Sequence, residues 1–169
     1  ALTGIEKEGM LSTDDKMRVW YPHNGWQREM QWESYTFPQL GLARCQPEEI
    51  QRSSKVIGAT NIGNWSTKEY LPMGLLENTE TGSNLFWQIE HNGSWHWEIS
   101  DQMGNFYIQL SGPTETESHW WKNLQPGETF TTVPVCVGST LGKFDDAMGE
   151  LTKYRRMIRR KNADNEKLC

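Results

Sequence analysis

From Leu85 the chain alternates apolar and polar residues with period two, the signature of a half-buried strand. Leu85, Trp87 and Ile89 share one phase; Gln88 and Glu90 share the other. After Asn92-Gly93-Ser94 the pattern resumes, with Trp95, Trp97 and Ile99 in phase against His96 and Glu98. Asn-Gly between two alternating runs is a strong hairpin signal. A two-residue loop would set Ile89 opposite His96 and mix both faces. A three-residue loop sets Ile89 opposite Trp97 and Trp87 opposite Ile99, which leaves one clean apolar face. Register follows the clean face, because a one-residue slip turns every side chain over. The pattern therefore predicts a hairpin with a three-residue loop, Gly93 near a left-handed conformation and a local bulge. A polar turn over 101–105 leads to a third alternating run, Phe106 to Leu110.

Weaker patterns place the other elements. Asp14 to Tyr21 holds Met17, Val19 and Tyr21 in phase and predicts a strand. Pro22-His23-Asn24-Gly25 reads as a turn, and Trp26, Arg28, Met30 and Trp32 then fall in phase in a second run. Gln46 to Ser54 is polar and loop-like, and Val56 to Ser66, with two Gly and two Asn, reads as irregular. Met73 to Leu76, across the polar tip 77–83, is expected to pair with Leu85 to Ile89. Thr131, Val133, Val135 and Val137 share a face in a last strand, Thr129 to Val137, which Pro134 assigns to an edge or a bulge. Phe144, Met148, Leu151, Tyr154 and Ile158 fall at helical spacing, with Asp145 and Asp146 at the start and Arg155, Arg156, Arg159 and Arg160 at the end, as the helix dipole favours. The sum is a mostly β chain: an antiparallel two-layer sandwich over 1–141 and a helical segment over 142–169.

Composition narrows the function classes. The apolar fraction of 36% and a mean hydropathy of -0.76 suit sheets with one wetted face each. A net charge of -5 supplies no basic stripe, so no nucleic-acid partner is expected. No apolar run approaches the roughly 20 residues of a membrane span, and no charged-then-apolar signal segment opens the chain, so no membrane partner is expected. Cys45, Cys136 and Cys169, odd in number and far apart, read as free thiols in a reducing compartment. His23, His91, His96 and His119 share no ligand spacing, so neither a metal nor a cofactor is expected. No serine or cysteine sits in a nucleophile motif, and no carboxylate pair can be placed across a cleft, so no catalytic residue is assigned. Asn64-Trp65-Ser66 and Asn92-Gly93-Ser94 fit the glycosylation pattern but read as turn chemistry. The basic end of the helix reads as a solvated end packed on a neighbouring domain rather than a phosphate site.

Tryptophan is the unusual count: nine, against five Phe and five Tyr. An indole offers a broad apolar face and a single donor, which suits either a core or a platform for a sugar ring. Trp87, Trp95 and Trp97 read as core. Trp26, Trp120 and Trp121 lie beside turns and polar residues, with Arg28 and His119 close in sequence. These five are the candidate sugar or interface contacts.

Three segments carry a family resemblance together. They are 86–99; then 110–115 with His119-Trp120-Trp121 and Leu124-Gln125-Pro126-Gly127-Glu128; then 151–156 with 162–168. They resemble the N-terminal domain of family 36 glycoside hydrolases, the bacterial α-galactosidases or melibiases, and Gly25-Trp26-Gln27-Arg28-Glu29 looks similar to a further segment of it. The resemblance implies a galactose-mutarotase-like β-supersandwich over 1–141, incomplete at its N-terminal side, whose helical linker over 142–169 leads to a catalytic (β/α)8 barrel. In that family two aspartates of the barrel hydrolyse terminal α-galactosides, such as melibiose or raffinose, with retention. The implied partners are the barrel of the same parent enzyme and the parent's α-galactoside; a sandwich without its early strands leaves edges that need cover, so self-association into a homo-oligomer, by edge pairing among other routes, is expected. The implied location is the bacterial cytoplasm. The same residues leave open a free-standing carbohydrate-binding module, or an interaction sandwich that associates through Trp26 or Trp120-Trp121.

Overall fold

A computed structural model describes residues 16–42, 55–102, 105–162, 164 and 167. The expected architecture is what it shows: a mostly β chain in two antiparallel sheets with a C-terminal helix. The strands are β1 Met17–His23, β2 Gln31–Thr36, β3 Ile57–Asn61, β4 Met73–Asn78, β5 Ser83–Ile89, β6 Trp95–Gln102, β7 Asn105–Ser111 and β8 Val135–Leu141. Sheet A has the order β2-β1-β4-β5-β8, and sheet B the order β3-β6-β7. A four-residue helix, α1 Glu115–Ser118, follows β7, and α2 Phe144–Ile158 closes the fold.

The expected hairpin around Asn92-Gly93 does not form. β5 pairs with β4 and β8, while β6 pairs with β3 and β7, so residues 90–94 arch from one sheet to the other. Nor is Gly93 among the residues with positive φ. The physical reason lies in the apolar face that suggested the hairpin. Side by side, the two strands would form one wide apolar surface still in need of a cover. Facing each other across the sandwich, they cover one another. Trp87 meets Trp97 edge to face at 5.3 Å, and Trp87, Trp95 and Trp97 are all buried.

The central strands of sheet A are buried on both sides. Its inner face packs Met17, Val19, Leu76, Trp87 and Ile89 against Ala59, Trp97 and Ile99 of sheet B. Its outer face packs Met73, Leu75 and Phe86 against Ala147 and Leu151 of α2. Phe144 opens the helix by stacking on Trp20 at 4.5 Å and meeting the edge of Trp32 at 5.2 Å. That double burial explains why 71–76 reads as an unbroken apolar run rather than an alternating one. β5 carries two cross-strand aromatic–glycine pairs, one per face. A Cβ on Gly74 would lie 2.3 Å from Trp87 Cζ2, and one on Gly138 would lie 2.2 Å from Phe86 Cζ. Both rings need the bare glycine beneath them.

The structure moves other boundaries. Residues 57–61, expected to be irregular, form β3, and Gly58 lies close against β6: a Cβ there would meet the Trp97 carbonyl oxygen at 2.5 Å. β1 runs through Pro22 and His23, so the turn comes later, and β2 begins at Gln31 rather than Trp26. The last strand, expected over Thr129 to Val137, instead runs from Val135 to Leu141 at an edge of sheet A, and Pro134 lies just outside it. The Met73 to Leu76 pairing with β5 and the helix from Phe144 stand as expected. The stretch 46–54 and Cys45 and Cys169 lie outside the described residues; Cys136 is a free thiol.

Candidate functional site

One end of the sandwich gathers the aromatic loops. The registers put His23 beside Gln31, Asn61 beside Trp95, His96 beside Ser111 and Ile89 beside Val135. The β1–β2 turn, the loop after β3, the 90–94 arch and the long 112–134 connection therefore all leave this same end. Trp26, Ile62, Trp65, Trp120, Trp121 and Phe130, all exposed, stand on these loops.

Each of the five sequence candidates is found here. Trp26, 86% exposed, tips the β1–β2 turn, and the exposed Arg28 donates its backbone N–H to the Gly25 carbonyl. Asn24 anchors that turn, donating through its side chain to the Thr67 carbonyl and accepting from the Met30 N–H. Gln27 and Met30 both take left-handed φ values, 60° and 57°, within it. His119 is the left-handed C-cap of α1, its N–H bonded to the Glu115 carbonyl. Trp120 and Trp121 follow it, 39% and 64% exposed. The fold thus brings 26–28 and 119–121 to one end, but no hydrogen bond or ring contact joins the two groups among the described residues.

Trp120 forms a wall of a groove at this end, a cleft of about 950 Å³. His91, Pro113, Phe130 and Val133 line it with Trp120. Trp120 and Phe130 lie 5.4 Å apart at 37°, and Lys122 Nζ sits 5.1 Å from the Phe130 ring centre. Sequence reasoning missed His91, Phe130 and Trp65. Residues 129–134 are not strand, although Thr131 and Val133 alternate in phase with Val135. A tilted aromatic pair beside an imidazole and two threonine hydroxyls can stack a ring C–H face and bind hydroxyl groups. The described lining contains no carboxylate.

The carboxylates elsewhere act as struts. Glu77 accepts from Trp20 Nε1 at 2.7 Å. Glu98 accepts from Tyr107 at 2.9 Å and lies 3.1 Å from His96 Nε2. Glu33 accepts from Tyr35, and Glu90 accepts from Tyr154 of α2. The Glu33 bond holds the Tyr35 hydroxyl pKa up to about 12, and the Glu90 bond likewise raises that of Tyr154, because each phenolate would face a carboxylate. Burial pushes the Cys136 thiol up and Arg155 down, and Arg155 Nε donates to Gln88 at 2.6 Å. No group of three or more His, Cys, Asp or Glu among the described residues could hold a metal ion. No helix among them is long and apolar enough to cross a membrane.

No protein-family model matches the chain, and no curated protein matches it. The functional reading therefore rests on the sequence segments and on the geometry of the sandwich end.

Proposed function

We propose that the chain is a non-catalytic supersandwich domain of a cytoplasmic bacterial α-galactosidase, where it buttresses the catalytic (β/α)8 barrel and helps make subunit contacts. The observation that carries this reading is the resemblance of 86–99, of 110–115 with 119–121 and 124–128, and of 151–156 with 162–168 to that family's N-terminal domain. Two structural features support it. The bonded glutamates serve the scaffold: Glu77 ties β4 to β1, and Glu90 ties the start of the 90–94 arch to α2. The aromatic end offers a broad surface for a neighbouring domain. Two tests bear on it. The polypeptide should not turn over a chromogenic α-galactoside, and robust turnover would refute the reading. The coding sequence downstream should encode a barrel; any other continuation would refute the α-galactosidase parentage.

A second reading, a carbohydrate-binding module, draws on the groove beside Trp120 and Phe130. Tryptophan fluorescence titrated with galactose, melibiose or raffinose separates the two. A saturable shift at millimolar sugar, lost in Trp120→Ala, favours the module; an unchanged spectrum favours the buttress.

A further inference from the structure

An edge strand left open is a template for pairing, and proteins usually blunt such edges with charge, proline or a bulge. β8 has none of these. Its seven residues, Val-Cys-Val-Gly-Ser-Thr-Leu, are uncharged and pair with β5 in unbroken register, and no third strand pairs with it among the described residues. The other edges are better protected. β2 carries Glu33, and β3 is five residues long. The end of β7 is overlaid by Val133, whose Cγ2 lies 2.4 Å from the Cβ site of Gly112.

Two features flank the open edge of β8. On its inner side Val137 and Leu141, 53% and 75% exposed, extend beyond the cover of sheet B. On its outer side a groove of about 300 Å³ runs between β8 and α2, lined by Gly138, Thr140, Glu150, Lys153 and Met157. Glu150 and Lys153 form an ion pair at 2.6 Å on the flank of α2 that looks over this edge.

The geometry points to a second copy of this chain as the occupant, its β8 pairing antiparallel with this β8 about a twofold axis. Self-complementarity is what a twofold contact demands, and three observations supply it. With Ser139 opposite its own counterpart, Val137 of each copy faces Leu141 of the other, so the two exposed apolar strips cover each other. An acid and a base side by side on α2 become, after a twofold rotation, an acid facing a base and a base facing an acid. The third observation is spacing. α2 lies over β5 and β8. With strands roughly 4.8 Å apart, an axis midway between them is about 2.4 Å inboard of β8, and the two helices would lie about 10 Å apart. That is the distance at which helices pack, roughly 8–10 Å. A ten-stranded sheet covered by a helix pair results. The inference is independent of the glycoside hydrolase reading.

Sedimentation velocity on the full chain tests it, with circular dichroism to confirm that each variant is folded. The wild type should sediment as a dimer. Val137→Lys, at an exposed position, should leave the spectrum unchanged and give monomer. Lys153→Glu places two acids against two acids and should weaken the dimer by about tenfold. The swapped double variant E150K/K153E should restore wild-type affinity, which a merely misfolded single variant could not do. An equimolar mixture of E150K and K153E chains should form heterodimers. A wild-type monomer at all concentrations, or a dimer of unchanged affinity in Val137→Lys, would overturn the proposal.

Discussion

Gly74→Ala tests how the sandwich is locked, because the added methyl enters space the Trp87 indole occupies. A Cβ at position 74 would lie 2.3 Å from Cζ2 and 2.7 Å from Cη2 of Trp87. Relaxed carbon contacts need about 3.5–4.0 Å, so the ring must move by more than about 1 Å. It cannot move freely: it is fully buried and set edge to face on Trp97 at 5.3 Å. Overpacking of this kind costs about 1–3 kcal/mol, and disturbing the aromatic pair adds about 0.5–1.5 kcal/mol. Replacing glycine inside a strand returns about 0.5–1 kcal/mol. The net expectation is a loss of about 0.5–4 kcal/mol, centred near 2 kcal/mol. With a urea m-value of about 2–3 kcal/mol/M, the midpoint should fall by about 1 M at constant m. Trp87→Phe removes the clashing atoms and an indole N–H that is buried without a partner among the described residues. Alone it should cost about 1–3 kcal/mol for the space left behind. Combined with Gly74→Ala it should cost less than the sum, with a coupling of about 1–2 kcal/mol. A Gly74→Ala loss under about 0.5 kcal/mol, or simple additivity, would refute the packing described for Trp87.

Three other outcomes are expected. Tyr35 and Tyr154 have folded-state pKa values raised above the usual 10 by Glu33 and Glu90. The stability they confer is therefore complete below about pH 10 and is lost as pH rises through the raised values, near 12 for Tyr35. Urea midpoints measured from pH 9 upward should fall in the wild type and fall less in Tyr154→Phe; equal slopes would refute the link. Met30→Gly, at φ 57°, should raise the melting point, because a left-handed residue other than glycine costs about 1–2 kcal/mol; Asn24 accepts its backbone N–H, so the turn keeps its anchor. Trp26→Ser and Trp121→Ser, at side chains 86% and 64% exposed, should each change stability by less than about 0.5 kcal/mol, so that any loss of binding they cause reports on contact rather than on folding.

Local pattern by itself determined much of this protein. Period-two alternation marked β1, β5, β6 and β7 and which side of each is apolar, and helical spacing with its charge bias marked α2 from its first residue. The run 129–137 was misplaced: the strand starts only after Pro134, which has no N–H to give a ladder, and continues to Leu141. Where pattern was weak, elements were missed: β3 is short and contains Gly58, and its strand character comes from pairing with β6 rather than from its own residues. Tertiary structure alone decided which strands pair. Two strands with matching apolar faces satisfy the alternation rule equally as neighbours in one sheet or as opposite walls of a core. Nothing in 85–99 distinguishes the two, because the difference is how much indole surface stays in water, and that depends on β4, β8, β3 and β7 taking the flanking positions. The aromatic end has the same origin. Trp26, Trp65 and Trp120 are 94 residues apart at the extremes, and only the stacking of strand ends sets their loops together.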